Sequence, residues 1–230
     1  MAAFPLMLPG TSRPPKLVVF DLDHTLIACD ATILWTEFLY EKKIVTDPIW
    51  RQYDRDMVKS YAKGVLDIRD FCRKHSGAFR SIPEEKLHAL AQEFAKKKIA
   101  PLIFPDGKKW AKNALQANIP ACVLSASAAF IVKPIAKLFG LTDAMGIELA
   151  FKDGFCTGEI VGIPTFQEGK VERLSERLAE AGIGFEDVLF FTDSNVPWWD
   201  SFTTALSVVA LWMLAHKYVE QWLVWIVIDG

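Results

Sequence analysis

The sequence predicts an α/β fold, a doubly wound and mainly parallel sheet carrying an inserted bundle of helices. Three observations predict it. Short apolar runs stop abruptly at small or acidic residues, at Lys16–Asp21, Ile119–Ser125 and Val188–Asp193. Strands buried on both faces of a parallel sheet read this way. Segments of helical period separate the runs, and residues 31–104 show helical periods with no strand pattern at all.

Composition narrows the class further. With 26 basic against 28 acidic residues among 230, the net charge is −2, which leaves no long-range field toward nucleic acid or an anionic membrane. A chain that is 51% hydrophobic and 12% aromatic is the opposite of a disordered one. Cys29, Cys72, Cys122 and Cys156 are scattered, so neither a thiolate metal cage nor a redox pair is expected, and a reduced, cytoplasmic compartment fits. The least polar stretch, Phe202–Ala215, has 14 residues against the ~20 a bilayer requires. It reads as a buried strand entering a helix.

Residues 1–15 are proline-rich and read as a tail. The first strand follows, and Asp30 then stands where it can cap the first inserted helix. Helices are expected near 32–43, 47–63, 65–75 and 83–98, the last opened by Ser81-Ile-Pro-Glu84 as a capping box. Four amphipathic helices cannot lie flat on one strand end. They should pack as a small bundle, giving a cap domain at 31–104 and a core at 16–30 and 105–230. A helix over Asp106–Leu115 leads into the second strand. The next runs from Ala128 to Phe139 and ends at Gly140. Lys152-Asp-Gly-Phe155 marks a hairpin over 148–160, expected to extend an edge of the site. Glu168–Ala181 sets Val171, Leu174 and Leu178 on one face and stops at Gly182. Beyond Thr204 the pattern blurs, and a crowd of tryptophans offers a surface for self-association.

In open α/β sheets the ligand crevice lies beyond the C-terminal strand ends, where these polar terminations converge. Asp21 and Asp23 close the first strand two residues apart and can point to one side. Their repulsion is relieved by a divalent cation or by a proton held on one of them. Ser125, followed by Ala126 at the start of a helix, can hold an anion with its hydroxyl and the exposed amides. Lys170 opens a helix, where a cation is unfavourable unless an anion compensates it. Asp193 closes the third strand and can join Asp21 around one cation, because the first and last of these strands are neighbours in this topology. His24 should point away from the two acids by strand alternation. Trp35 and Trp50 read as bundle core.

Asp21-Leu-Asp-His-Thr25, Ser125, Lys170 and Asp193, in that order, resemble the four motifs of the haloacid dehalogenase superfamily, and within it the phosphoserine-phosphatase-like branch with a helical cap. The likeness spans Lys16 to about Asp193, and Gly162–Leu174 is also similar to phosphoserine and histidinol phosphatases. It implies a hydrolase of a small phosphorylated metabolite. Asp21 would be the nucleophile, forming an aspartyl-phosphate, and Asp23 the acid and then the base. Mg²⁺ would be held by Asp21, Asp23 and Asp193, with Asn195 a further oxygen ligand. Thr25, Ser125, Ala126 and Lys170 would hold the phosphate, and Asp30 a substrate ammonium. The sequence departs from the pattern at Pro197, where the branch carries a second acid. A phosphotransferase or mutase of the same fold, or a binding protein with weakened catalysis, therefore stays open beside the phosphatase.

Overall fold

The computed structural model describes residues 6–8 and 11–192. Their sheet has four parallel strands in the order β3-β2-β1-β6, formed by β1 (Leu17–Phe20), β2 (Ala121–Ala128), β3 (Asp143–Ile147) and β6 (Val188–Phe191). Strand β1 is central, Val18 pairing with Ala121 on one side and Leu189 on the other. All four of its residues are buried. Val18 and Phe20 enter one apolar cluster while Leu17 and Val19 enter another, which is the alternation of a strand covered on both faces.

Strand β3 was not foreseen. Its sequence, Asp-Ala-Met-Gly-Ile, lacks the β-branched run that announces β1, and Gly146 is there for close approach. A Cβ on Gly146 would lie 2.8 Å from the Ser127 carbonyl oxygen.

After β1 come α1 (Ala31–Glu41), α2 (Ile49–Ala62), α3 (Ile68–His75) and α4 (Glu84–Phe94). The chain continues through a wide turn at Ala95–Ile99 into α5 (Pro105–Gln116). Asp30 caps α1 as expected, accepting from the Ile33 amide at 3.0 Å. The expected capping box at Ser81 does not form. Helix α4 begins at Glu84 directly after Pro83 with no side-chain cap. The Glu84 amide, which Ser81 was to satisfy, donates instead to the Gly154 carbonyl at 2.8 Å.

Trp35, fully buried, is the centre of the inserted helices. Its ring lies 5.6 Å from Phe38, 5.3 Å from Phe94 and 5.6 Å from Phe130. Phe130 belongs to α6 (Ala129–Leu138), which covers the sheet, so one apolar cluster joins insertion and sheet layer. The foreseen hairpin is present as β4 (Leu149–Lys152) and β5 (Phe155–Ile160). It lies against α3 and α4, with buried Cys156 in the same cluster and Pro83 bridged to Phe155. None of its residues lines the cavity described below, contrary to the expected role at the edge of the site. Helix α7 (Glu168–Ala181) buries Leu174 and Leu178 and ends at left-handed Gly182, as its pattern predicted. No helix among the described residues is long and apolar enough to cross a membrane. The tryptophan-rich tail lies outside the described residues.

Candidate active site

The backbone turns sharply where β1 ends. The Asp21 amide still donates to Phe191 of β6 at 2.9 Å, whereas the Leu22 carbonyl accepts from Thr25, Leu26 and Ile27 in succession. This turn leaves Asp21 and Asp23 on the wall of one cavity of about 180 Å³. Asp30, Thr32, Ser127 and Lys170 belong to its polar part, and Met57, Leu66, Ile68 and Phe71 to its apolar part.

Lys170 arrives from a loop that is pinned at several points. Thr165 donates to the Ser125 carbonyl at 2.6 Å, and both residues are fully buried. Gln167 adopts a positive φ of 50°, and Gly169 approaches Pro164 so closely that a Cβ would sit 2.0 Å from its carbonyl oxygen. From the first turn of α7 the Lys170 ammonium reaches Asp21 Oδ1 at 2.8 Å. Burial opposes that charge, but Asp21 more than offsets it and the lysine pKa lies above its ordinary value.

Asp23 is held on both carboxyl oxygens. Oδ1 accepts the Ala31 amide at 2.7 Å, and Oδ2 lies 3.2 Å from the hydroxyls of both Ser125 and Ser127. Burial, with Asp30 and Asp21 nearby, pushes its pKa up to about 8 against the opposing Ala31 amide and Lys170. The Asp30 carboxyl is raised as well, by burial above all, although the backbone amides of Ile33 and Thr32 oppose the shift.

The structure therefore brings Asp21, Asp23, Asp30, Ala126 and Lys170 to one cavity. Ser125 stands behind the wall, fully buried, its hydroxyl spent on Asp23 and on the Ser127 amide. Thr25 is separated from the group. Its buried hydroxyl has no hydrogen-bond partner among the described residues, and the residue borders a neighbouring cavity with Asp106 and Trp110. His24 does not point away as alternation implied. With φ at 59° it leaves the extended conformation and lines the cavity. Asp193 and Asn195 lie outside the described residues.

Thr32, Ser127, Tyr61 and Phe166 also line the cavity, outside the residues that the motifs name. Ser127 carries a sequence signal, since two residues past Ser125 in a strand is the same side. Tyr61 and Phe166, whose rings meet edge-on at 5.5 Å across more than a hundred residues of sequence, gave no local signal. The donor chemistry suits a hard cation, because three carboxylates line a cavity in which Lys170 is the only described lysine or arginine. Among the described residues no cluster of three or more acidic, histidine or cysteine side chains forms a metal cage.

A model of the haloacid dehalogenase-like hydrolase family matches residues 18–196. The chain is 32% identical over 184 residues to a protein of Neisseria meningitidis serogroup C (strain 8013) named histidinol-phosphatase, across 78% of this chain and 83% of that one. It is 26% identical to the phosphoserine phosphatase of Methanocaldococcus jannaschii, across 79% and 78% respectively. A solved structure from Bordetella pertussis Tohama I, of a protein of unknown function, superposes with a TM-score of 0.67 at 30% identity, covering 76% of this chain and 80% of that one. A stretch of 33 residues is also 48% identical to the nicotinamide riboside transporter PnuC of Escherichia coli (strain K12), 14% of either chain.

Proposed function

The chain belongs to the haloacid dehalogenase-like hydrolase family, and from that premise we propose that it is a Mg²⁺-dependent phosphomonoesterase acting on a small amino-bearing phosphate ester, with residues 31–104 as its cap. The observation that carries this reading is the pairing of two carboxylates in different surroundings at one strand end. Asp21 is bound to a lysine ammonium at 2.8 Å, whereas Asp23 is sheltered and inclined to keep its proton.

Each state suits a step. Ion-paired Asp21 is an anionic nucleophile, and its oxygen would attack phosphorus to form an aspartyl-phosphate. The ester oxygen departs with the proton of Asp23. Asp23, now a carboxylate, takes a proton from water as that water attacks phosphorus, releasing inorganic phosphate and restoring Asp21. Lys170 and the amide at Ala126 would hold the phosphoryl oxygens, since a lysine paired with Asp21 still has protons to share with a second anion. Mg²⁺ would be held by the Asp21 carboxylate, the Asp23 main-chain carbonyl and Asp193, and it supplies charge that lowers the repulsion between nucleophile and phosphate.

The walls point to the substrate class. Asp30 presents a carboxyl that is costly to leave ionised without a cation, which suits an ammonium. A phosphorylated amino acid would bring a carboxylate too, and Lys170, the described lysine or arginine of the cavity, is already engaged. A phosphorylated amino alcohol with a flat or apolar body fits better against Met57, Leu66, Ile68 and Phe71. The name of the Neisseria relative agrees with that class. Phosphate release from a panel of phosphorylated amino alcohols, amino acids and sugars, with Mg²⁺ and with chelator, tests the reading. Preference for the amino alcohol and loss with chelator are expected. Release from none of them overturns it.

A further inference from the structure

Asp23 is gripped from two layers of the molecule at once. One carboxyl oxygen accepts the amide of Ala31, the first residue of α1, at 2.7 Å. The other meets Ser127 at the end of β2, and the Ser127 hydroxyl in turn lies 3.0 Å from the hydroxyl of Thr32, the second residue of α1. Ser127 is 3% exposed, so water cannot readily replace either partner. A carboxyl that must hand a proton to a departing oxygen needs its unbonded face fixed within tens of degrees, because proton transfer falls steeply with misalignment.

We propose that Ser127 and Thr32 are positioning residues for the proton-donating carboxyl, a hydroxyl pair through which the first turn of the inserted helices sets the orientation of Asp23. The inference rests on the phosphatase reading above. The amide of Ala31 donates to Oδ1 and the Ser127 hydroxyl donates to Oδ2, so the plane of the carboxyl is held from both of its oxygens. Ser125 reaches Oδ2 as well. Of the two hydroxyls, Ser127 is the one whose own direction is set by α1. Thr32 anchors it by a side-chain bond that valine, of the same shape, cannot make.

The test compares two substrates of the full chain with Mg²⁺. One is an alkyl phosphate, whose leaving oxygen needs a proton. The other is 4-nitrophenyl phosphate, whose leaving group does not. In Thr32→Val and Ser127→Ala, kcat for the alkyl ester is expected to fall about three- to tenfold more than kcat for the aryl ester, the range of one hydrogen bond. Thr32→Ser should restore the ratio, because it returns the hydroxyl without the methyl group. An equal fall on both substrates, or a serine variant no better than valine, overturns the proposal, since a merely structural defect has that signature. Thermal melts of each variant identify a folding failure, in which case the Thr32→Ser ratio decides. A wild type that hydrolyses neither ester removes the phosphatase reading and this inference with it. A wild type active on both, with ratios unmoved in all variants, removes this inference alone.

Discussion

The four inserted helices divide into two pairs that bury very different things. Helices α1 and α4 bury Trp35, Phe38, Leu39, Leu87, Leu90 and Phe94, and through Trp35 and Phe130 they share a core with the sheet layer. Helix α2 buries a single residue, Asp54, and α3 buries Cys72 and His75. Where the first pair is held by ring packing, the second adds polar contacts to the single partly buried Trp50 that packs on that cluster. His75 Nε2 lies 2.9 Å from Thr36 of α1 and 3.3 Å from Asp54. Yet the second pair, with the loop joining it, supplies Met57, Tyr61, Leu66, Ile68 and Phe71 to the cavity. The difference teaches that anchoring and selection are separated. Substitutions at Met57, Tyr61 or Ile68 can reshape the pocket without touching the apolar cluster that joins the insertion to the sheet layer.

That division can be broken in several ways. The largest effect belongs to neither pair. Asp21→Asn should reduce phosphate release by roughly a thousandfold or more, because it removes the proposed nucleophile at nearly constant volume. Its melting temperature should fall modestly while the fold persists, because Lys170 loses the carboxylate that offsets its burial. Retained turnover in the purified variant would move the chemistry away from the strand end, and with it the meaning of both pairs. Trp35→Ala strikes the anchoring pair and should cost about 3–5 kcal/mol of unfolding free energy in urea, the range for a buried aromatic. A loss under ~1 kcal/mol would mean that insertion and sheet layer do not share a core.

Met57→Ala strikes the selecting pair. It should raise KM for the preferred ester by about three- to tenfold through lost apolar contact, with less than ~1 kcal/mol change in stability since Met57 is half-buried. A melt as damaged as that of Trp35→Ala would erase the distinction. The smallest effect lies far from both pairs, at Asp187, which meets Arg13 at 2.7 Å and Lys16 at 2.9 Å. The Lys16 hydrogen bond, and then the charges of Lys16 and Arg13, hold its pKa below the ordinary value of 3.8. A depressed carboxylate stabilises the fold above its unfolded pKa and loses that contribution as pH falls through the folded one. Acid titration of Asp187→Asn should therefore lower neutral-pH stability slightly and flatten the dependence below about pH 4, where the lost carboxylate titrates.

Much of this was readable in the sequence because it is local. The runs that became β1, β2 and β6 are continuous and apolar, the period of α7 is unbroken, and Asp30 stands one residue before its helix. What failed depended on partners distant in the chain. Ser81 lost its capping role to a carbonyl of the hairpin, and β3 is a strand because β2 lies beside it rather than because of its own residues. His24 was misplaced by assuming that extended backbone continues past Phe20, when the turn around the Leu22 carbonyl has already begun. Asp21, Asp23 and Lys170 were legible as charges without obvious partners. Thr32 and Ser127, neutral and ordinary, become notable once β2 and α1 are seen to meet over Asp23.

The hairpin β4–β5 carries a lesson about modularity. It follows the second and third strands in the chain, yet it lies on α3 and α4, and Gly158 permits a contact with Ser76 that any side chain would block, a Cβ there falling 2.1 Å from the serine hydroxyl. Recombination between relatives that exchanged residues 31–104 alone would pair a foreign bundle with a native hairpin shaped for another surface. Chimeras that also transplant residues 149–160 should express as folded protein more often than those that do not. The exchangeable unit is discontinuous, and a breeder of new specificities would have to replace two separate segments of the gene.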